Sequence, residues 1–189
     1  MSVAHKANVQ RERWLPITTH RLVIREFDID DIQGYYTLES NEENARYQDW
    51  PPRTIDQSRE LVLANIESST ANPRTIWELV VEKDGSMIGR VGAAQSQPER
   101  GVHFNLWFSF LPSVQGKGYA TEAMKVFIEE LVRRKGGEVV VLEIECDPRN
   151  VGSWKLAKRL GFEKHSLTEK AYESKGGWVD SLVYRKNAV

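Results

Sequence analysis

Gln115-Gly116-Lys117-Gly118-Tyr119-Ala120-Thr121 sets chemically useful residue types at close spacing. Two glycines leave the backbone bare, and a helix opening just after them has N–H groups with no intrahelical partner. Bare amides at a helix start favour an anion, so the run reads as a turn that holds phosphate. It is not the nucleoside-triphosphate loop, which needs a Ser or Thr directly after its Lys. Gly118 stands in that place.

Positioning such a turn takes a strand before it and a helix after it. Val102 to Leu111 carries Phe104, Leu106, Trp107, Phe108 and Phe110 and is halted by Pro112 and Ser113, the pattern of an apolar strand. Ala120, Met124, Phe127, Ile128, Leu131 and Val132 recur at three- and four-residue intervals. That spacing predicts a helix over about Tyr119 to Arg134, capped by Gly136-Gly137. Val139 to Cys146 is again a strongly apolar strand. A strand, a helix and a strand predict a right-handed crossover between adjacent parallel strands, with a ligand at their carboxyl ends beside the glycine turn.

The flanking chain supplies the remaining elements. Arg21 to Phe27 alternates as a first strand, and Asp28 and Asp30 are N-cap candidates for a helix through Leu38. Asn41 to Arg53, with Tyr47, Asp49, Trp50 and Pro51-Pro52, breaks the helical pattern before a second helix over Asp56 to Ser69. Ile76 to Val81 and Met87 to Ala94 form a hairpin about Lys83-Asp84-Gly85-Ser86, with Gly89 and Gly92 marking close approach or a bulge. Ser153 to Leu160 is a short helix ended by Gly161. A last hairpin pairs Glu163–Tyr172 with Trp178–Arg185 about Gly176-Gly177. Residues 1–16 read as a polar tail docked through Trp14, and 17–189 as a single domain.

At 189 residues, 40% hydrophobic and 28% charged, the chain has the composition of a globular protein with a substantial core. Lys+Arg 26 against Asp+Glu 27 leaves a net charge of -1, which argues against a nucleic-acid partner. The single Cys146 excludes an intrachain disulfide and a cysteine zinc site, and its apolar neighbours make it a small buried hydrophobe rather than a nucleophile. No stretch has the apolar length of a membrane helix or the apolar core of a signal peptide. These features predict a soluble cytoplasmic protein with no membrane partner.

The glycine run fits Gln/Arg-x-x-Gly-x-Gly/Ala, and with it the chain resembles the GNAT superfamily of acyl-CoA-dependent N-acyltransferases, most nearly its RimJ/RimL-like branch. Three further stretches carry the resemblance in the right order: His20 to Arg25; Cys146-Asp-Pro-Arg-Asn-Val-Gly-Ser153 with Leu160-Gly161-Phe162; and Gly177-Trp178-Val179-Asp180 with Tyr184. Together they span about residues 17 to 186. The resemblance implies an α/β (α+β) fold, a mixed, mostly antiparallel sheet of about seven strands with a central parallel pair flanked by helices.

It also implies roles. Acetyl-CoA would be the acyl donor, with no metal, and the acceptor a primary amine of a small molecule or protein N-terminus, attacked directly in a ternary complex by a monomer or homodimer. The amides of Gln115, Gly116, Lys117, Gly118, Tyr119, Ala120 and Thr121 would hold the pyrophosphate, and those around Phe110 and Leu111 the thioester oxygen. Asn150 would bind the pantetheine arm, Ser153 would sit near the thioester sulfur, and Tyr47, Asp49 and Trp50 would contact the acceptor. Plainer readings stand beside these: Asn150 and Ser153 as a helix cap, Trp50 as a pin for its loop.

One position departs from the branch. Its members commonly carry a Glu on the central strand, where this chain has Asn105, and an amide is no base. His103, two residues earlier and so on the same strand face, is a substitute candidate beside its plainer reading as a surface histidine, and Glu145 and Asp147 are further candidates. Asn105 therefore leaves a second reading open, a CoA-binding sensor or interaction module without catalysis. The sequence does not identify the amine, and a larger acyl donor also stays open.

Overall fold

A computed structural model describes residues 14–98 and 101–188. The tail expected over residues 1–16 lies outside the described residues except for its last three. Trp14 is docked as expected: its ring stacks on Phe127 at 6.3 Å and 13°.

The chain runs β1 (Ile17–Thr18), β2 (Val23–Arg25), α1 (Ile32–Glu39), α2 (Glu42–Ala45), α3 (Ile55–Ser69), β3 (Ile76–Lys83), β4 (Ser86–Ser96), β5 (Val102–Phe110), α4 (Tyr119–Arg133), β6 (Val140–Cys146), α5 (Val151–Arg159), β7 (Glu163–Ser174) and β8 (Gly177–Ala188). These strands form one eight-stranded sheet in the order β1-β2-β3-β4-β5-β6-β8-β7. Only β5 and β6 pair in parallel, so the expected mixed sheet with one parallel pair is the observed fold. Eight strands are described where about seven are expected, the additional one being β1, whose two residues are too few to show periodicity. The Asn41–Arg53 break likewise contains the single helical turn α2, capped by the Asn41 side chain.

Strand alternation divides the core between two faces. On β3, Leu79 and Val81 join the larger cluster with Phe104, Leu106, Met124 and Phe127, while Val80 joins Phe27, Tyr35 and Val62. Both faces of this strand are therefore buried, one on the side of α4 and the other on that of α1 and α3. α4 buries Ala123, Met124, Phe127, Ile128 and Leu131, and full burial of each larger side chain is worth about 1.5–3 kcal/mol. Gly92 is required where it is: a Cβ there would lie 2.2 Å from the Trp107 ring, which crosses over it from β5.

The sheet divides in its middle. β5 and β6 pair only from Val102↔Val140 to Asn105↔Glu143. Beyond that point β4 keeps β5 as far as Gly89↔Phe110, and β8 keeps β6 as far as Cys146↔Leu182. The ends of the two parallel strands thus separate, and main-chain groups along one edge of each have no strand partner among the described residues. Buried backbone groups are rarely left unpaired, so such a wedge is a natural place for a ligand's polar atoms.

Candidate active site

The glycine turn lies at the open end of the wedge. Gly118 takes φ +82°, a left-handed conformation cheap only for glycine, and forms the N-cap of α4 with no side chain capping the helix. The first intrahelical bond runs from Glu122 N to Gly118 O at 3.0 Å, so the amides of Tyr119, Ala120 and Thr121 are left for an outside acceptor. A Cβ added at Gly116 would meet nothing within 4 Å, which leaves the cradle open. Lys117 folds back, its Nζ donating to Ser113 O at 2.9 Å.

Residues far away in sequence brace this turn. Arg21 donates from Nε to Glu122 Oε2 at 2.7 Å and from Nη1 to Lys117 O at 3.1 Å, and its guanidinium lies 4.5 Å over the Tyr119 ring. Thr19 Oγ1 donates to Glu122 Oε1 at 2.6 Å. Burial pushes the Glu122 carboxyl up, but the bonds from Thr19 and Arg21 outweigh it and hold the group below the ordinary glutamate range. A depressed folded value makes the brace complete above the unfolded glutamate pKa of about 4.3, and lost as pH falls through the lower folded value. The unfolding midpoint of the wild type should therefore exceed that of Glu122→Gln at neutral pH, with the gap closing on acidification. A gap that does not change with pH would contradict the brace.

The wedge edge of β5 corrects one expectation. Leu111 N donates to Ile88 O at 3.0 Å, so this amide is spent on the neighbouring strand and is not an oxyanion donor. Antiparallel pairs alternate between bonded and non-bonded positions. With Leu111 bonded to β4, the register puts Ser109 on the same side and turns the amides of Phe108 and Phe110 toward the wedge. Gln115 Nε2 donates to Phe110 O at 3.2 Å and thereby ties the glycine turn to the strand end.

Across the wedge, Asn150 Oδ1 accepts from Ser153 N at 3.2 Å and caps α5, as the plainer reading has it. Ser153 is 8% exposed. Its hydroxyl lies beside the Cys146 thiol, which burial pushes up to about 11 against the opposing effect of that hydrogen bond. Cys146 is therefore a protonated thiol at neutral pH.

On the opposite face of the sheet, Asn105 is exposed in register with the buried Glu143. His103 Nε2 lies 3.6 Å from Glu143 Oε2 and is shielded with no hydrogen-bond partner among the described residues, while Arg185 Nε donates to the same carboxylate. Glu145 accepts from Ser181 Oγ. Asp147 is pushed up by burial, yet the side-chain and backbone bonds of Arg149 outweigh that and hold it below the carboxylate range.

A cavity of about 270 Å³ adjoins Asp147 and Arg149 and is lined also by Arg46, Tyr47, Asp49, Tyr172, Lys175 and Trp178 among others, while Asn105, His103 and Glu145 are outside that lining. Tyr47 and Asp49 thus face one space. Trp50 is outside that lining: its Nε1 donates to Glu39 Oε2 at 3.2 Å and Arg53 stacks over its ring at 4.7 Å. Glu39 is buried and also accepts from Arg90 Nε at 2.9 Å, so Trp50 pins the loop to a buried charge pair. Sequence reasoning missed Arg46, Tyr172, Lys175 and Trp178 as cavity residues. The turn at Gly176-Gly177 signalled the hairpin, but nothing local showed what its tip would meet.

Comparison with known proteins bears on the fold and the family. Residues 21–163 match the family described as Acetyltransferase (GNAT) domain. The chain is 24% identical over 168 residues to the uncharacterized N-acetyltransferase YnaD of Bacillus subtilis (strain 168), covering 89% of this chain and 94% of that protein. Its fold is similar to that of the microcin C7 self-immunity acetyltransferase MccE, solved with acetyl-CoA and AMP, at TM-score 0.78 and 19% identity over 90% of this chain and 94% of that one. It is similar also to RimL, a ribosomal L7/L12 α-N-protein acetyltransferase solved with coenzyme A, at TM-score 0.75 and 19% identity over 90% and 96%.

Proposed function

This chain belongs to the GNAT acetyltransferase family, and from that premise we propose that it moves the acetyl group of acetyl-CoA directly onto a primary amine within a ternary complex. The observation that carries the reading is the split between β5 and β6, which has the uncapped start of α4 at its open end and a polar cavity beside it. The unit proposed is residues 17–189, since β7 and β8 continue the same sheet beyond the family match.

Acetyl-CoA supplies an acetyl carbonyl activated as a thioester. The amides of Tyr119, Ala120 and Thr121, with Gly116 and Gly118 bare beside them, suit the pyrophosphate. Phe108 and Phe110 present amides to the carbonyl oxygen, where donors aimed at developing charge contribute most. Asn150 binds the pantetheine arm in this reading. As the amine nitrogen bonds to the carbonyl carbon and the carbon–sulfur bond breaks, the amine gives up one proton and the sulfur takes one. Ser153 serves the sulfur.

For the amine's proton, Asn105 orients the nucleophile or a water and His103 accepts, its protonated ring then facing Glu143. The expected result is a kcat/KM that rises with pH along a limb that His103→Ala removes. Asn105→Ala should cost only a modest factor, and Asn105→Glu should raise the rate at neutral pH. An unchanged profile in His103→Ala would exclude the histidine.

Thiol release from acetyl-CoA against a panel of amines tests the function itself. Release that depends on amine is expected. Tight acetyl-CoA binding with no amine-dependent release would instead support a sensor.

A further inference from the structure

Resting on the acyl-transfer reading above, the acceptor cavity carries information about the kind of amine it takes, because its two ends differ in charge. Asp147 directly follows β6 and so marks the end beside the split in the sheet. Its carboxylate is already matched by Arg149, with Nη2 to Oδ2 at 2.6 Å. Tyr172 stands here too, its hydroxyl pushed up by burial and then by Asp49, Asp147 and Glu145, with Arg149 opposing. Asp49 forms no ion pair among the described residues. This end of the cavity therefore holds one matched carboxylate, Asp147, and one, Asp49, with no cation on it among the described residues.

The other end is where the β7–β8 tip meets the segment after α1. Lys175 Nζ donates to Ala45 O, and Arg46, the next residue, stacks its guanidinium 5.9 Å over the Tyr47 ring. Both cations line the cavity. A carbonyl and a ring face satisfy geometry but not charge, and among the described residues neither side chain has a carboxylate partner. The fold thus brings two positive charges together where the β7–β8 tip meets Ala45.

We propose that the acceptor is an amine carrying an anionic group, a carboxylate or a phosphate, at the end away from its reactive nitrogen. The nitrogen enters toward Asp49 and Asp147, and the anionic group is received by Arg46 and Lys175. A guanidinium beside an ammonium is well suited to such an oxyanion. A diamine or polyamine would instead place its second ammonium against two unmatched cations, an arrangement that disfavours it. The volume of about 270 Å³ lies just under the range usual for small-molecule sites, about 300–1,000 Å³, so the acceptor or its inserted end is compact.

The test measures kcat/KM at saturating acetyl-CoA for four amines: 2-aminoethyl phosphate, 4-aminobutanoate, butylamine and 1,4-diaminobutane. The two anionic amines should exceed butylamine by about ten-fold or more, with the diamine last. Arg46→Glu/Lys175→Glu should reverse that order. Should the double variant not fold, Arg46→Gln and Lys175→Gln singly should each lower the ratio of kcat/KM for the anionic amines to that for butylamine several-fold. A diamine preferred by the wild type, or an order that survives both sets of variants, overturns the proposal. If no amine is acetylated, the acyl-transfer reading fails, and calorimetry of the CoA-loaded protein with 2-aminoethyl phosphate and 1,4-diaminobutane decides the inference separately. Tighter binding of the phosphate, lost on charge reversal, supports it; tighter binding of the diamine refutes it.

Discussion

Ser153→Ala lowers turnover by about 10²-fold and leaves the affinity for acetyl-CoA nearly unchanged, as expected when a proton donor acts chiefly in the transition state. The geometry allows this separation. Ser153 receives its cap through its backbone N–H, from Asn150 Oδ1 at 3.2 Å, and the substitution leaves that bond intact. What is lost is a hydroxyl at the open end of the β5–β6 split, beside a Cys146 thiol pushed up to about 11. The stability loss should stay near 1 kcal/mol, the net worth of one ordinary hydrogen bond. Cys146 does not act as a nucleophile at neutral pH, because it holds its own proton, and Cys146→Ala should retain most activity. Equal turnover in wild type and Ser153→Ala would reduce Ser153 to a residue of the helix start.

Gly118→Val weakens acetyl-CoA binding by about ten-fold or more, the loss expected when charge-assisted hydrogen bonds from bare amides are blocked. A Cβ at this position would lie 3.5 Å from Arg21 Nη2, an ordinary contact, so crowding by the protein is not the cause. Two other effects act. At φ +82° a side chain costs about 1–2 kcal/mol, more for a β-branched one, and it covers the approach to the first turn of α4. Gly118→Asn separates them, since Asn tolerates the left-handed region while still covering the amides. Calorimetry alongside a thermal melt reads both. An unchanged Kd in a folded variant would show that the anion is held elsewhere.

What the sequence disclosed, and what it withheld, follows from the range over which each signal acts. The 3.6-residue recurrence from Ala120 to Val132 and the apolar run from Val102 to Phe110 are local patterns, and α4 and β5 lie where these place them. Gly89 and Gly92 were legible as sites of close approach, though not what approached: the Phe110 and Trp107 rings from the adjacent strand. The brace on the glycine turn joins Arg21 to Glu122, 101 residues apart, and no spacing rule links them. The same holds for Arg90, buried between Glu39 and Glu78, which fixes the loop bearing Trp50.

The site shows the limit most clearly at Leu111. Its place after an apolar strand was readable, but whether its amide faced the wedge or β4 depended on register, which a one-residue slip reverses. Observed pairing spends Leu111 on Ile88 and turns Phe108 and Phe110 to the wedge. Likewise, Asn105 was visible as a missing carboxylate, whereas Glu143 opposite it could be found only once β5 and β6 were aligned. Lys175 reaches Ala45 across 130 positions, so the positive charge on this side of the cavity belongs to the fold alone.

Initial velocities measured over a grid of acetyl-CoA and acceptor concentrations test the central claim most directly. Direct attack within a ternary complex predicts double-reciprocal lines that intersect, with one CoA thiol released for each amine acetylated. Parallel lines, or thiol release at the same rate without acceptor, would mean that the acetyl group first passes to the enzyme or to water, and would contradict the account.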